Sequence, residues 1–331
     1  MRLLMTFWLC QGALAAGLGC AAAPGSGRQT LPEAQKLFQA GCYSKARVEF
    51  AAALREAESG GADSRSVAMI FDFMGVNEED SGNFRQAETL LNRGLSTIHP
   101  YAPHDPVLID LEDHLAEVYL SEVRPEDAEA MLRHSLDALR RAARPEPRLI
   151  ARADQDLALA CMMQHRYDES AELLREGQVL LETQYGPDHP RLAGGLLAYA
   201  ALLSAEHKYA EAVAPAERAC QILRTACLPP NTTQLANAST SLASLYFRAG
   251  RTKEAAALAS QAVDLAEEIE EPNHPTLALC LANYAYILQH TGHKREAKAF
   301  QKKAEEIARQ AYPNGSGGDT INVAALRDGS H

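Results

Sequence analysis

Apolar residues recur along most of the chain with the spacing of one face of an α-helix. Residues 242–246 read Leu-Ala-x-Leu-Tyr and residues 284–288 read Tyr-Ala-x-Ile-Leu, so apolar side chains fall at positions i, i+1, i+3 and i+4. This spacing makes a wide apolar stripe along one side of a helix. Gly250 and Gly292 follow the two stretches, as is typical of the residue just after a helix end. The pattern predicts helices that pack on a shared core.

A four-residue motif marks the start of a second helix in each repeating unit. The motif ends with a small residue and often has an acidic residue at its third position. Its seven copies begin at Tyr43, Phe84, Pro125, Tyr167, Tyr209, Thr252 and Lys294. The last residues of these copies are separated by 41, 41, 42, 42, 43 and 42 residues. Such regular spacing indicates an array of helix–turn–helix units, in which each unit contacts its neighbours.

Small residues stand where the two helices of a unit are expected to approach closely. In the first helices they are Ala116, Ala158, Ala200, Ala243 and Ala285. A bulky side chain at such a position would force the helices apart, at a cost of roughly 1–3 kcal/mol. The alanines that end most of the four-residue motifs are expected to let the second helix pack back on the first.

The order Leu-Ala-x-Leu-Tyr, Gly-Arg and Glu-Ala resembles the tetratricopeptide repeat, although its period here is close to 42 residues and not about 34. With Asp-His-Pro at 188–190 and Asn-His-Pro at 273–275, the longer period resembles the form found in kinesin light chains and many bacterial proteins. In the second unit, Gly75 and Glu78 replace the usual Ala and Tyr. The resemblance implies an all-α fold, an α-solenoid whose antiparallel helix pairs form a right-handed superhelix of about seven units, the first truncated.

The start of the chain is predicted to be a secretory signal peptide, because a short positive region precedes the uncharged residues 3–18. Residues 16–20, Ala-Gly-Leu-Gly-Cys, resemble the bacterial lipobox, with Gly17 where leucine is usual. The resemblance implies cleavage before Cys20 and lipid attachment to its sulfur. Because Ala21 and not aspartate follows, it also implies the outer membrane. Ordinary signal cleavage a few residues later is the alternative.

These features divide the chain into four predicted parts. They are the signal peptide at 1–19, the lipidated cysteine and tether at 20–29, the repeat domain at 30–312, and a flexible tail at 313–331. Gly, Pro and Ser in the tether, and a Gly/Ser/Asn-rich stretch in the tail, are typical of linkers. We therefore expect a lipid-anchored protein of the bacterial cell envelope, in the outer membrane and facing the periplasm. A secreted soluble protein is the alternative.

The charge argues against a nucleic-acid-binding protein, and the cysteines argue against a disulfide-stabilised one. The formal net charge is -11, and no run rich in Lys or Arg occurs. We expect no nucleic-acid partner, because phosphate neutralisation supplies most of that affinity. The cysteines after Cys20 are five, an odd number spread over several repeats, and most have Ala or Leu neighbours, which indicates packing and not a disulfide framework. A bridge between Cys220 and Cys227 is disfavoured, since seven helical residues span about 10 Å.

The chain contains no recognisable catalytic or cofactor-binding motif. Neither a phosphate loop nor a nucleophile elbow occurs, and no His-Glu-x-x-His is present. His290 and His293 could bind a metal with a carboxylate at their helix end. No Cys or Asp lies beside them at ligand spacing, so a polar helix end is the favoured interpretation. We therefore expect no enzymatic activity, no metal and no cofactor.

Tetratricopeptide arrays bind extended or helical peptides in a concave groove lined by the first helices, and the resemblance implies such a groove here. The groove positions lie just before and just after the Leu-Ala pair of each unit. They are Asp72, Phe73, Asp113, His114, Glu117, Gln155, Asp156, Thr240, Ser241, Ser244, Asn283 and Tyr286, with Asp110 and Arg152 one turn earlier. Paired Asn residues of the family hold the ligand backbone, and only Asn283 keeps that identity.

The predicted groove is acidic in its first half, and neutral and rich in hydroxyls in its second half. Leu197 and Ala198 occupy the equivalent positions between the two halves, so that unit supplies few polar groups. The charge pattern favours a peptide partner with Lys or Arg toward one end. A solvated acidic face that binds nothing is the alternative.

These observations predict a non-catalytic scaffold or adaptor of the bacterial cell envelope. It would bind a partner peptide or domain in the groove and hold it near the membrane through the lipid anchor. One alternative is a structural subunit of a larger envelope or secretion complex, which exposed apolar residues on the outer helices would favour. A second alternative is a metal-binding sensor or an enzyme, with His290 and His293 as ligands.

Overall fold

The fold is all-α: in the computed structural model, fourteen helices and no strand are found among residues 30–39, 43–81, 83–98, 105–142, 144–226, 232–269 and 275–311. These are the residues that the structure describes. The helices are α1 Thr30–Gln39, α2 Tyr43–Ser59, α3 Ser64–Asp80, α4 Phe84–Ile98, α5 Pro106–Ser121, α6 Pro125–Arg141, α7 Pro147–Met163, α8 Tyr167–Tyr185, α9 Leu192–Ala205, α10 Tyr209–Thr225, α11 Thr232–Arg248, α12 Thr252–Glu267, α13 Pro275–His290 and α14 Lys294–Ala311. At ten residues, α1 makes the first helix hairpin, α1–α2, shorter, as predicted.

The helices fall into two compact units, with the boundary between Ala160 and Cys161. In the first unit, α1 packs on α2, α3 on α4 and α5 on α6. In the second unit, α9 packs on α10, α11 on α12 and α13 on α14. Each unit is therefore built from consecutive helix hairpins. The predicted signal peptide, tether and tail lie outside the described residues, so their boundaries remain predictions.

The second helices begin at the first residues of the seven predicted motifs, so this prediction is confirmed to the residue. Local chemistry explains the agreement. Acidic residues occupy the first turns of α6, α8, α10, α12 and α14, where the positive end of the helix dipole stabilises them. Pro125 stands in the first turn of α6, where its missing N–H costs nothing.

The first helices end in a recurring turn that has a left-handed residue. Gly250 and Gly292 adopt φ of 81° and 94°, and Val123 reaches 62° at the equivalent position. The next backbone N–H bonds a carbonyl five residues earlier, as in Arg251 N to Tyr246 O at 2.8 Å. This Schellman-type arrangement satisfies a carbonyl that the helix leaves free. Val123 is strained in this conformation because its Cβ crowds the backbone at positive φ, whereas glycine has no Cβ.

The predicted close approach of paired helices is confirmed by the burial of the small residues. Ala116 and Ala243 are fully buried, and Ala285 is 4% exposed. The second helix hairpin of the array, α3–α4, departs from this pattern. A Cβ on Gly75 would lie 2.5 Å from Leu91 Cγ, so α3 and α4 approach more closely there than an alanine permits.

Glu78, which replaces the usual tyrosine, is buried and satisfied. Both of its carboxylate oxygens accept hydrogen bonds from Arg47, with Nη2 to Oε2 at 2.7 Å. Asn83 Nδ2 also donates to Glu78 Oε2 at 2.8 Å. An ion pair between α2 and α3 thus takes the place of an aromatic contact, and the fold accommodates a charge at a core position.

The described helices are too short or too polar to cross a membrane. Cys161, Cys220 and Cys280 are buried, and Cys220 is a free thiol that forms no bridge. Burial raises the pKa of Cys220 to about 11, which keeps the thiol protonated at neutral pH. Cys20, Cys42 and Cys227 lie outside the described residues.

Candidate functional site

The first helices of successive hairpins contact one another directly. In the first unit α3 contacts α1 and α5, and in the second unit α11 contacts α9 and α13. Side chains on one side of these helices therefore meet across neighbouring repeats. We call this surface the first-helix face, and treat it separately in each unit, as α3, α5 and α7 up to residue 160, and as α9, α11 and α13.

A buried ion pair links α3 to α5 on the first-helix face of the first unit. His114 Nδ1 lies 2.6 Å from Asp72 Oδ1, and both side chains are buried. Burial alone would lower the pKa of His114, but the Asp72 carboxylate outweighs burial and raises it to about 10. His114 is therefore an imidazolium at neutral pH. The two predicted site residues neutralise each other.

Arg152 on α7 supplies the second cation of this face. Its Nη2 donates to Glu117 Oε1 on α5 at 2.5 Å, and its Nε lies 3.9 Å from Asp156 Oδ2. Burial would lower the pKa of Arg152, but Glu117, Asp156 and Asp113 outweigh burial and raise it. The side chain keeps 27% of its surface exposed, so the guanidinium remains within reach of solvent.

Carboxylates outnumber the cations on this face. Burial and the nearby Glu117 raise the pKa of Asp80 to about 7 and hold that of Glu79 well above its usual range. Burial and Glu117 likewise hold the pKa of Asp156 well above its ordinary value. Burial also raises the pKa of Asp110, against the opposing effect of His114. These raised pKa values mean that the carboxyl groups hold their protons more strongly than free carboxyl groups do, so Asp80 is partly protonated at neutral pH.

Two predicted groove residues of the first unit, Asp113 and Phe73, contact second helices. Ser135 Oγ on the second helix α6 donates to Asp113 Oδ1 at 2.6 Å, and Asp113 is 3% exposed. Burial raises the pKa of Asp113 to about 6. Phe73 stacks on Phe50, with ring centroids 6.1 Å apart, in a cluster that includes α2. Asp113 is thus buried against α6, and Phe73 is half-buried against α2.

Glu79 and Asp80 were missed by the sequence interpretation. They lie seven and eight residues after Asp72 on α3, two helical turns further along the same side. That spacing was the available signal, but both residues stand beyond the positions that the repeat comparison considered. Gln155, which was predicted, is half-buried on α7.

The second unit places amides and hydroxyls on its first-helix face. Asn283 Nδ2 on α13 donates to Ser244 Oγ on α11 at 2.5 Å. Ser241 Oγ donates to the carbonyl of Asn237 at 3.2 Å. Thr240, a predicted groove residue, is buried. Its hydroxyl donates to Ala236 O and forms a hydrogen bond with Cys280 Sγ, so it packs within the unit.

Two amide oxygens on this face have no hydrogen-bond donor. Asn237 Oδ1 and Asn283 Oδ1 are buried, and neither accepts a hydrogen bond from any residue that the structure describes. A buried amide oxygen without a donor is uncommon in folded proteins, because its desolvation costs about 1–3 kcal/mol. Asn237 was not among the predicted groove residues, since it stands one turn before the positions considered.

An aromatic group adjoins these amides. Tyr286 lies 4.3 Å from His290 and 5.5 Å from Phe247 between ring centroids. His290 Nδ1 donates to the carbonyl of Tyr286 at 2.8 Å. Across the described ranges, no three His, Cys, Asp or Glu residues are arranged to hold a metal ion. His290 is thus placed as a helix-end residue beside aromatic rings.

Comparison with known proteins supports the repeat assignment. Residues 234–310 match the family model described as tetratricopeptide repeat. A tetratricopeptide-like repeat protein described as a putative kinesin light chain of Podospora anserina superposes with a TM-score of 0.50 at 21% identity, over 63% of this chain and 96% of that chain. The predicted resemblance to kinesin-light-chain-like repeats is therefore confirmed.

Two complexes share the fold over more of the chain. A Rap protein complexed with Competence and Sporulation Factor has a TM-score of 0.65 at 14% identity, covering 85% of this chain and 74% of that chain. NprR in complex with its cognate peptide NprX has a TM-score of 0.58 at 12% identity, covering 90% and 83%. At such identities the likeness shows the all-α repeat fold alone. No curated protein sequence is similar enough to this chain to count as a match.

Proposed function

We propose that this chain is a non-catalytic protein-interaction module that binds an extended segment of a partner protein along the first-helix face of its second unit. Similarity to a Rap protein complexed with Competence and Sporulation Factor, and to NprR in complex with its cognate peptide, supports a binding role. The chain would act as a scaffold, presenting the bound partner near a membrane to which it is itself attached.

The observation that carries the proposal is the pair of buried amide oxygens without donors, Asn237 Oδ1 and Asn283 Oδ1. The backbone N–H groups of an extended peptide are donors of the right kind, and each bond made would remove the desolvation cost of one oxygen. Ser244 and Tyr286, beside Asn283, would add a hydroxyl and an aromatic surface for side chains. Nothing in this set suits bond-breaking chemistry, since it has neither a nucleophile–base pair nor a paired acid and base.

The proposal is tested with a peptide library. The purified full chain is incubated with an array of acetylated, amidated octapeptides, and the retained peptides are resynthesised for fluorescence polarisation. We expect Asn237→Ala and Asn283→Ala to weaken binding by about five- to tenfold each, the worth of one hydrogen bond.

The control is Gln221→Ala, an exposed substitution on the second helix α10. It should leave affinity within twofold, and circular dichroism should show equal helix content in all three variants. If no peptide is retained, or if the asparagine variants bind as well as the parent, the proposal is wrong.

The envelope location is a separate proposal that rests on the lipobox-like residues 16–20. Metabolic labelling with an alkyne fatty acid is expected to modify the parent chain and to leave Cys20→Ser unlabelled. Membrane fractionation should then place the parent in the outer membrane. Recovery of an unlabelled mature chain that begins after residue 20 would contradict lipidation and favour a secreted soluble protein.

A structural-subunit role lacks the observation that would favour it. The well-exposed large apolar residues in the described ranges are Val48, Val123, Val179 and Tyr199, which lie on four different elements. Single exposed apolar residues are normal on soluble surfaces and do not make an assembly interface.

A further inference from the structure

The last described helix, α14, is basic although the chain as a whole is acidic. The formal net charge of the chain is -11, whereas Lys294–Ala311 holds six Lys or Arg residues and three Glu residues. Lys303 is paired, since its Nζ lies 2.7 Å from Glu267 Oε1 on α12. The other five basic side chains form no ion pair with any residue that the structure describes. They are Lys294, Arg295, Lys298, Lys302 and Arg309.

These five side chains lie on one side of α14, here called the basic face. At 100° of rotation per residue they fall within an arc of about 100°, and all five are exposed. They extend over about 22 Å, because Lys294 and Arg309 are fifteen residues apart on the helix. Glu305 and Glu306 lie in or beside the same arc, and Gln301 Nε2 donates to Glu305 Oε1 at 3.1 Å. With these two carboxylates counted, the face keeps an excess of three positive charges.

The corresponding side of the preceding second helix is covered. Val263 on α12 is 6% exposed and belongs to an apolar cluster that includes Leu277 of α13. Glu305 stands at the equivalent position 42 residues later and is exposed. Ser260, which is half-buried on α12, likewise corresponds to the exposed Lys302. The basic face is therefore a helix side that no described helix covers, and its residues are charged where the preceding repeat has Ser and Val.

The basic face contains no apolar anchor for a protein partner. Ala304, Ile307 and Ala308 lie in the cluster that α14 shares with α13, and Phe300 packs on Tyr284 with ring centroids 5.0 Å apart. None of the well-exposed large apolar residues in the described ranges belongs to α14. Stable protein interfaces usually bury aromatic or large apolar residues at their centre and are poor in lysine. The face therefore suits a partner that is attracted by charge alone.

We infer that the basic face adsorbs to the surface of a membrane that contains anionic phospholipids. Such a membrane presents many negative headgroups over a flat area, so a straight row of exposed Lys and Arg can contact several of them at once. Each basic residue held near the surface strengthens binding by about fivefold. The apolar side of α14 stays in the protein core, so the helix lies on the membrane and does not insert. Neither peptide binding by the second unit nor a lipid anchor is needed for this adsorption.

Cosedimentation with vesicles measures the adsorption. The full chain carries Cys20→Ser, so that a lipid on that residue cannot contribute. The vesicles contain either phosphatidylcholine alone or phosphatidylcholine mixed with phosphatidylglycerol, which is anionic. The basic face is neutralised by three substitutions one turn apart, Lys294→Gln/Lys298→Gln/Lys302→Gln.

A dispersed control separates the basic face from the total charge. Arg175→Gln/Arg224→Gln/Lys253→Gln removes the same formal charge from exposed sites on α8, α10 and α12. Both triple variants are made in the Cys20→Ser background, so the start of the chain is the same in all proteins. Circular dichroism must show equal helix content in the parent and in both variants.

We expect the parent to bind the anionic vesicles about tenfold or more tightly than the phosphatidylcholine vesicles. High salt should abolish this preference, because adsorption depends on charge and not on insertion. Neutralising the basic face should weaken binding to the anionic vesicles by about tenfold or more. The dispersed control should stay within about threefold of the parent, because its three sites lie on separate helices.

The inference is overturned if the basic-face variant binds anionic vesicles as well as the parent does, or if the dispersed control loses as much affinity. Equal binding to the two kinds of vesicle would also overturn it. Duplex DNA and polyglutamate are compared with the vesicles per unit of charge. Tighter binding to either polymer would replace the membrane with a nucleic acid or an acidic protein segment as the partner. Peptide binding is measured separately, so each of these outcomes leaves the test of Asn237 and Asn283 unchanged.

Discussion

Raising the pH from 4.5 to 7.5 is expected to destabilise the first unit, and Asp113 makes the effect measurable. Burial raises the pKa of this carboxyl group from 3.8 to about 6 in the folded protein. The folded state therefore binds the proton more tightly than the unfolded chain does. The stability that protonation provides is fully present below pH 3.8 and is lost as the pH rises through about 6.

The size of the effect follows from the shift. About two pKa units at about 1.4 kcal/mol each give on the order of 3 kcal/mol between the two limits. His114 changes stability in the same direction at higher pH, since its raised pKa favours the folded state below about 10. Between pH 3.8 and about 6, the window covered by the Asp113 shift, the substitution Asp113→Asn should remove most of this residue's share of the slope.

The measurement is amide hydrogen exchange of α5, followed by mass spectrometry and corrected for the intrinsic rate at each pH. Exchange reports the local unfolding free energy, which suits a repeat array that need not unfold in one step. Asp137→Asn, an exposed aspartate on α6, is the matched control. If Asp113→Asn and the parent chain lose protection in parallel as the pH rises, the reasoning about the buried carboxyl group is wrong.

Two further predictions concern packing and charge in the same unit. Gly75→Ala should lower the free energy of unfolding by about 1–2 kcal/mol, because its Cβ would press on Leu91. In a Leu91→Ala background the same change should be neutral or stabilising. Equal effects in both backgrounds, measured by urea unfolding, would contradict the close contact. Arg152→Met should lower stability by about 3 kcal/mol, because it leaves Glu117 unpaired. The control, Arg133→Met at an exposed site, should change thermal stability very little. Equal shifts in melting temperature would show that the Arg152–Glu117 pair stabilises the fold no more than an exposed pair does.

Much of the fold could be predicted because it depends on local chemistry. The starts of the second helices coincide with the predicted motifs, from Tyr43 to Lys294, since acidic first turns and small buried residues are short-range signals. The turn at Val123 shows the same local control, because the repeat imposes a left-handed residue even where no glycine stands. The period of about 42 residues then fixes which helices pair.

The site could be predicted only in part because side-chain direction depends on neighbouring helices. Asp113 and His114 are adjacent and both were assigned to the groove, but about 100° of helix rotation separates them. His114 therefore reaches Asp72 on another first helix, while Asp113 reaches Ser135 on a second helix. Asp80 was overlooked because its raised pKa depends on its burial and on the nearby Glu117, which its place in the repeat does not reveal.

Site-specific photocrosslinking tests the central claim, that a partner segment lies on the first-helix face, most directly. A benzoylphenylalanine replaces Tyr286, which is half-buried on α13, or the exposed Lys302 on α14, and the retained octapeptide carries a biotin. We predict a crosslinked peptide at position 286 and none above background at position 302. Crosslinking at 302 that equals or exceeds that at 286 would contradict the account.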